Sequence, residues 1–233
     1  MKLYYILAFG TLLCSQLCSS ASAAMASEEP YNSGIVIRWK DCKQRIDGFG
    51  IAQAGWAKEL FAFKNREQVM DKMFGKDGLR LNILRGEIFP HYWENETDKD
   101  FNLNDDIHIE LSDSDFINQS DDLLRRGQLW LTLKAKNKYH ISKLVFSTWS
   151  APAWMKSNGK VSNGRLKTEC YTDFANYLAA FYNAYKSKGI APYAISPSNE
   201  PGYAAPWNSS LWTADEMGKF ITSYLGPTFR KEN

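Results

Sequence analysis

The hydrophobic pattern of the chain alternates between short apolar runs and longer stretches in which apolar residues recur every three to four positions. The short runs predict strands and the longer stretches predict helices. The predicted strands are 35–37, 46–50, 79–84, 143–149 and 191–198. The predicted helices run from Asn65 to Gly75, from 123 to 138, over 174–185, and from a Thr213–Glu216 capping box to Gly226–Pro227.

Strands that alternate with helices, and that are apolar enough to be buried on both faces, predict an α/β fold with a parallel sheet covered by helices. An open doubly wound sheet and a (β/α)8 TIM barrel both fit this pattern. No glycine-rich phosphate-binding motif follows the first strand, which disfavours a nucleotide-binding sheet. We therefore expect a barrel of which about the first four βα units are present, in residues 46–233.

The amino terminus has the pattern of a secretory signal peptide in residues 1–23: a basic start at Lys2, an apolar middle at 3–13 and small residues at 21–23. This predicts a secreted or periplasmic protein, with a lipid anchor at Cys14 or Cys18 as the less favoured alternative. No later stretch reaches the about 20 apolar residues that span a bilayer. Two thiols remain, Cys42 and Cys170, which either form a disulfide or are buried as free thiols.

The charge balance excludes some partners. Lys and Arg number 28 against 26 Asp and Glu, a formal net charge of +2. So small an excess gives no field that would attract nucleic acid or an anionic membrane surface. The acidic stretch 94–122 predicts a long loop, which would repel anionic polymers. Nothing in the sequence indicates an oligomeric state.

The strongest chemical signal is the segment 195–201, where a predicted strand ends in Asn199 and Glu200 and a proline follows. A carboxyl group at a strand end can protonate a leaving oxygen, and partial burial would keep it protonated near neutral pH. The alternative is a loop glutamate that pairs with a nearby arginine.

A second signal is the segment 147–156, in which Trp149 and Trp154 flank a proline. The CH face of a sugar ring packs on indole, although core packing explains any single tryptophan equally well. The chain has eight tryptophans, and Trp207 and Trp212 also lie near predicted strand ends. Their number and position favour carbohydrate as the ligand.

Charged residues also occur beside the predicted strand 79–84. Arg80 and Arg85 flank it and Glu87 follows, and a buried charge of this kind needs a partner such as an active-site carboxylate or a structural ion pair. The three histidines are scattered and no metal-ligand motif is present, so we expect neither a metal nor another cofactor.

Four segments together resemble glycoside hydrolase family 30: 46–50, 79–85, 147–156 and 198–201. That family includes glucosylceramidase, endo-xylanases, β-1,6-glucanases and β-1,6-galactanases. The resemblance implies a TIM barrel with an attached β-domain, to which residues 24–45 would contribute. It implies that Glu200 is the acid/base residue and that Asn199 binds the sugar 2-hydroxyl.

The resemblance further implies that Arg80 steadies the nucleophile, that Trp149 lines the sugar subsite, and that Glu87 contacts substrate. Trp154 is the additional candidate for sugar binding. The family's nucleophile is a glutamate on the seventh barrel strand, so we expect it beyond Asn233 and expect the 233-residue polypeptide alone to be inactive and poorly soluble.

The function implied is a retaining β-glycosidase that degrades a plant or microbial polysaccharide, such as xylan or a β-1,6-linked glucan or galactan. Two alternatives remain at this point. One is glucosylceramidase activity, and the other is a carbohydrate-binding protein that performs no hydrolysis.

Overall fold

Four parallel strands, each followed by helical structure, dominate the residues that the computed structural model describes, namely 38–53, 56–90, 93, 96–97 and 127–232. The strands are β1 (Gly50–Ala52), β2 (Ile83–Ile88), β3 (Lys143–Thr148) and β4 (Ala194–Ser196). The helices are α1 (Ala57–Ala62), α2 (Arg66–Phe74), α3 (Gly127–Tyr139), α4 (Tyr171–Ser187), α5 (Ala214–Phe220) and α6 (Gly226–Glu232). Single 3₁₀ turns lie at Ala153–Met155 and Thr168–Cys170, and a π-helical segment at Ile221–Leu225 joins α5 to α6.

The strand order identifies the architecture. The strands lie in the order β1-β2-β3-β4, and each neighbouring pair is parallel. A doubly wound sheet reverses its order at a switch point, whereas a (β/α)8 barrel adds each strand beside the previous one. The described residues therefore form part of a TIM barrel, as the sequence predicts.

The chain divides into two compact units, Met1–Asp47 and Gly48–Asn233. In the first unit, residues 38–47 are exposed and carry an ion pair between Lys43 and Asp41 at 2.6 Å. The predicted signal peptide, the predicted strand 35–37 and nearly all of the acidic stretch lie outside the described residues. The predicted domain boundaries, 24–45 and 46–233, therefore stay predictions.

The helices with the clearest periodicity form where the sequence predicts them. Helix α2 begins after Asn65 and ends at Gly75, and α4 contains the whole predicted stretch 174–185. The apolar face of α4 is buried, with Phe174, Tyr177 and Phe181 each at most 1% exposed. Helix α3 ends at Tyr139, and helix α1 has no counterpart among the predictions.

All four strands differ from their predicted bounds. At their ends, β2 runs on to Ile88 rather than 84 and β3 stops at Thr148 rather than 149. Strand β1 begins only at Gly50, because the Asn82 side chain accepts a hydrogen bond from the Phe49 backbone and holds the preceding residues as a loop. Strand β2 begins at Ile83 rather than 79, because Arg80 has a φ of 53°, which a strand cannot contain. Strand β4 spans three residues, although backbone bonds to β3 continue on both sides of it.

The last predicted helix does not end at Gly226–Pro227. The Thr213–Glu216 capping box starts α5 as expected, but the chain then continues through the π-helical segment into α6. Pro227 falls in the first turn of α6, where its missing N–H removes no helical hydrogen bond.

Side chains of β2 alternate between two faces of the sheet. Leu84 and Ile88 belong to the hydrophobic core together with Phe146 of β3. Gly86 lies on the same face, where an added Cβ would come within 2.6 Å of the Phe146 ring. Arg85 and Glu87 therefore point to the opposite face, which becomes the barrel interior.

Candidate active site

A continuous set of contacts joins Trp149, Arg85, Asn199 and Glu200, from the middle of β2 to the residues that follow β3 and β4. The Arg85 guanidinium lies over the Trp149 ring, 4.6 Å from its centroid. Arg85 Nη2 also donates a 2.7 Å hydrogen bond to Asn199 Oδ1, and Asn199 Nδ2 donates to Glu200 Oε2 at 3.1 Å. Three strands thus contribute to one polar cluster.

The backbone fixes Asn199 and Glu200 relative to β3. The Asn199 N–H donates to the Thr148 carbonyl oxygen at 2.7 Å, which extends the pairing between β3 and β4 beyond the strands. Glu200 has a φ of 45°, in the left-handed region, and this costs a residue with a Cβ roughly 1–2 kcal/mol. Such strain concentrates at functional sites, and the Glu200 side chain is exposed.

Arg80 and Arg85 lie in different surroundings, and only Arg85 joins this cluster. Arg80 precedes β2, is exposed, and its Nε donates to the Lys76 carbonyl oxygen at 2.6 Å. Arg85 lies within β2 and is half-buried. The structure therefore places Arg85, and not Arg80, in contact with Asn199, and the role that the resemblance implies for Arg80 stays a prediction.

Glu87 is the buried carboxyl group of the site, at 9% exposure. Burial raises the pKa of Glu87 to about 7, although a hydrogen bond from the Asn208 side chain and the nearby Arg85 charge each oppose the shift. The burial expected for Glu200 is thus found at Glu87, two residues along β2 from Arg85. The Glu87 backbone is also held, because its N–H and C=O both bond the Gln128 side-chain amide.

Trp154 is anchored to the core. It lies in the 3₁₀ turn Ala153–Met155, is half-buried against the hydrophobic core, and donates from Nε1 to the Trp93 carbonyl oxygen at 3.1 Å. Trp149 is also half-buried but lies against Arg85. Of the two tryptophans in this segment, Trp149 is the one that contacts the polar cluster.

A second aromatic pair lies close to Glu200 in the chain. Tyr203 and Trp207 are 51% and 54% exposed, and their ring centroids are 6.2 Å apart. The Tyr203 N–H donates to the Glu200 carbonyl oxygen at 2.9 Å, so the pair begins in the same turn as the carboxyl group. An exposed aromatic pair beside a carboxyl group can hold a sugar ring.

The described residues offer no metal site. Among them, no group of three or more His, Cys, Asp or Glu side chains is arranged to hold an ion. None of the helices in this part of the chain has the length and apolar character needed to cross a membrane. Cys42 is exposed and Cys170 is buried, both as thiols.

The geometry can supply proton transfer at an oxygen atom. Glu200 is an exposed carboxyl group with one oxygen fixed by Asn199, which in turn is fixed by Arg85. The sequence predicts Asn199, Glu200 and Trp149 as site residues, and they lie together. It missed Asn208, whose side chain acts on the Glu87 carboxyl group, and the buried Lys156, whose Nζ donates to the Ser209 carbonyl oxygen. Both contacts join segments far apart in the chain.

Comparison with known proteins gives a consistent result. The model of the "Glycosyl hydrolase family 30 TIM-barrel domain" matches residues 46–233. "Putative glucosylceramidase 3" of Caenorhabditis elegans is 30% identical over 223 residues, which are 90% of this chain and 41% of that protein. "Glucuronoxylanase XynC" of Bacillus subtilis is 27% identical, covering 92% of this chain and 43% of that protein.

Among solved structures, SrfJ from Salmonella typhimurium is similar with a TM-score of 0.64 and 25% sequence identity. The match covers 81% of this chain and 42% of SrfJ. The chain therefore spans about two fifths of the length of the relatives it matches.

Proposed function

The chain belongs to glycosyl hydrolase family 30, and from this membership we propose that the whole protein is a retaining β-glycosidase that degrades a plant or microbial polysaccharide. Glu200 is the acid/base residue in this proposal. The observation that carries it is the fixed Asn199–Glu200 pair at the end of β4, held by Arg85. Export from the cell is part of the proposal, because a polysaccharide is too large to enter.

Each residue of the cluster has a role in the proposed reaction. Glu200 protonates the leaving oxygen in the first step and removes a proton from water in the second. Asn199 donates to the sugar 2-hydroxyl, and Trp149 packs against the sugar ring. Arg85 orients Asn199 and adds positive charge near the nucleophile, a carboxylate that the remaining barrel strands supply.

The proposed mechanism needs two carboxyl groups about 5 to 5.5 Å apart, with a covalent glycosyl-enzyme between the two steps. Glu87 is not proposed as the nucleophile, because it is buried and its carboxyl group accepts a hydrogen bond from Asn208. Experiments on activity therefore require a protein that contains this chain together with the remaining strand–helix units.

The names of the relatives favour two substrates. A glucuronoxylanase supports a polysaccharide such as xylan, and a putative glucosylceramidase supports a β-glucosyl lipid. We favour the polysaccharide, because the exposed Tyr203–Trp207 pair offers a second aromatic surface for a further sugar ring. Because family relatives act on β-1,6-linked glucan or galactan, a screen of polysaccharide substrates should include those polymers as well as xylan.

The test compares Glu200→Gln with Glu169→Gln, an exposed glutamate in the turn before α4. An acid/base residue matters most when the leaving group is poor. We expect Glu200→Gln to lower turnover of the polysaccharide by about 10²- to 10⁴-fold, and to lower turnover of an activated aryl β-glycoside much less in its first step. Glu169→Gln keeps both activities.

Equal losses on both substrates would contradict an acid role for Glu200. Binding of oligosaccharide by the wild-type protein, with no turnover of any substrate, would favour the carbohydrate-binding alternative. Turnover of glucosylceramide alone would replace the polysaccharide with the lipid substrate.

A further inference from the structure

Two buried ionisable side chains reach consecutive residues of one loop. We define the post-β4 loop as residues 197–213, between β4 and α5. Glu87 of β2 is near enough to the Asn208 side chain in this loop for that amide to oppose the rise in the Glu87 pKa. Lys156, in the segment after β3, donates from Nζ to the carbonyl oxygen of the next residue, Ser209. The segment that follows β3 thus holds the loop at Ser209.

Lys156 is fully enclosed by neutral acceptors. Its side chain is among the largest that are completely buried, at 1% exposure. Besides Ser209, its Nζ lies 3.1 Å from Ser150 Oγ and 3.5 Å from the Val161 carbonyl oxygen. An ammonium group buried without a carboxylate is expensive, and an apolar side chain would fill the space at lower cost. The contacts of Lys156 are therefore better explained as holding the loop in place than as stabilising the fold.

The backbone around Asn208 and Ser209 adds to this attachment. The Ser209 N–H donates to the Val161 carbonyl oxygen at 3.0 Å, and Ser162 forms an isolated antiparallel bridge with Asn208. The Asn163 N–H donates to Ser209 Oγ at 2.9 Å. The far half of the post-β4 loop is thus fixed to the segment that follows β3.

The near half of the same loop carries the groups that face a substrate. Glu200 begins it, and Tyr203 and Trp207 are its exposed aromatic residues. Trp207 immediately precedes Asn208, so any movement of the attachment point moves that ring directly. The distance from Glu200 to the aromatic pair therefore depends on where Asn208 and Ser209 are held.

We propose that Lys156 is a positioning residue that holds the post-β4 loop through Ser209, and thereby sets the Tyr203–Trp207 pair as a subsite for a second pyranose ring. The subsite rests on the proposed glycosidase function, whereas the attachment of the loop does not. Lys156 acts through Ser209 and does not contact the sugar.

The first test measures amide hydrogen exchange in the full-length protein. We expect Lys156→Met to raise exchange in residues 202–212 by about tenfold, the factor expected for one lost buried hydrogen bond, and to leave α4 unchanged. Lys156→Arg, which keeps the donors, restores part of the protection. Unchanged exchange in 202–212, or an equal rise in α4, would overturn the attachment.

The second test measures how substrate length changes the kinetic effect. We expect Lys156→Met to raise KM for a long oligosaccharide by about tenfold and to change kcat/KM for a single-ring aryl glycoside less than about twofold. Trp207→Ala should give the same pattern. Equal effects on both substrates would overturn the subsite. If the wild-type protein turns over no glycoside, the proposed function fails, and hydrogen exchange still decides the attachment.

Discussion

Arg85 Nη2 donates a 2.7 Å hydrogen bond to Asn199 Oδ1 across 114 positions of sequence. Arg85 also lies against Trp149, so its planar guanidinium makes one directional bond and one ring contact at once. Through Asn199, this arrangement reaches one oxygen of the Glu200 carboxyl group. The orientation of the proposed acid/base residue therefore depends on an arginine in β2, although Glu200 itself follows β4.

Replacement of this arginine by lysine should lower activity. Lysine keeps the positive charge but lacks the planar group that contacts Trp149 and Asn199 together. We expect Arg85→Lys to reduce kcat/KM by about 10- to 100-fold, as misplacement of a catalytic group does. The measurement is steady-state hydrolysis by the full-length protein, with circular dichroism to confirm folding.

Arg80→Lys is the matched control for this variant, because Arg80 is exposed and its Nε donates to the Lys76 carbonyl oxygen, away from Asn199 and Glu200 in the sequence. We expect Arg80→Lys to keep activity within about twofold of wild type. A loss at Arg80 that equals the loss at Arg85 would restore the role that the family resemblance first implied for Arg80.

The buried Glu87 should make stability depend on pH. The pKa of Glu87 is raised from 4.5 to about 7 in the folded protein. Between these values the folded state holds a proton that the unfolded state has lost, so the free energy of unfolding falls as pH rises from 4.5 to 7. Over this pH range the free energy of unfolding falls by about 3 kcal/mol, which is the free-energy equivalent of the raised pKa.

Urea unfolding at several pH values measures this effect, and Glu87→Gln is the control. The amide of glutamine accepts a hydrogen bond from Asn208 but does not titrate. We expect the variant to lose the decrease in stability between pH 4.5 and 7 and to become relatively more stable than wild type at pH 7. Parallel pH profiles for the two proteins would contradict the burial of this carboxyl group.

The sequence predicts those parts of the fold that local spacing decides. The apolar repeat of α4 and the cap of α5 depend on residues within one or two turns, and both form as predicted. The start of β2 was missed, because the left-handed conformation of Arg80 shifts it to Ile83. No propensity of an arginine indicates that conformation.

The candidate site likewise has parts that the sequence predicts and parts that it does not. Asn199 and Glu200 lie in one short motif, and their proximity follows from the end of a strand. The contact of Arg85 with Asn199, and the contacts of Glu87 with Asn208 and of Lys156 with Ser209, depend on strand register and on loop packing. These features arise only when distant segments meet in the fold.

The most direct test of the central claim is rescue of Glu200→Ala by azide. Without the acid/base residue, the glycosyl-enzyme formed from an activated aryl glycoside is hydrolysed slowly, because no carboxylate deprotonates the attacking water. Azide needs no base: it attacks the anomeric carbon, and the bond to the nucleophile's carboxylate breaks. We predict faster turnover with azide and a β-glycosyl azide as product, identified by NMR. No rescue, or a product of α configuration, would contradict Glu200 as the acid/base residue of a retaining β-glycosidase.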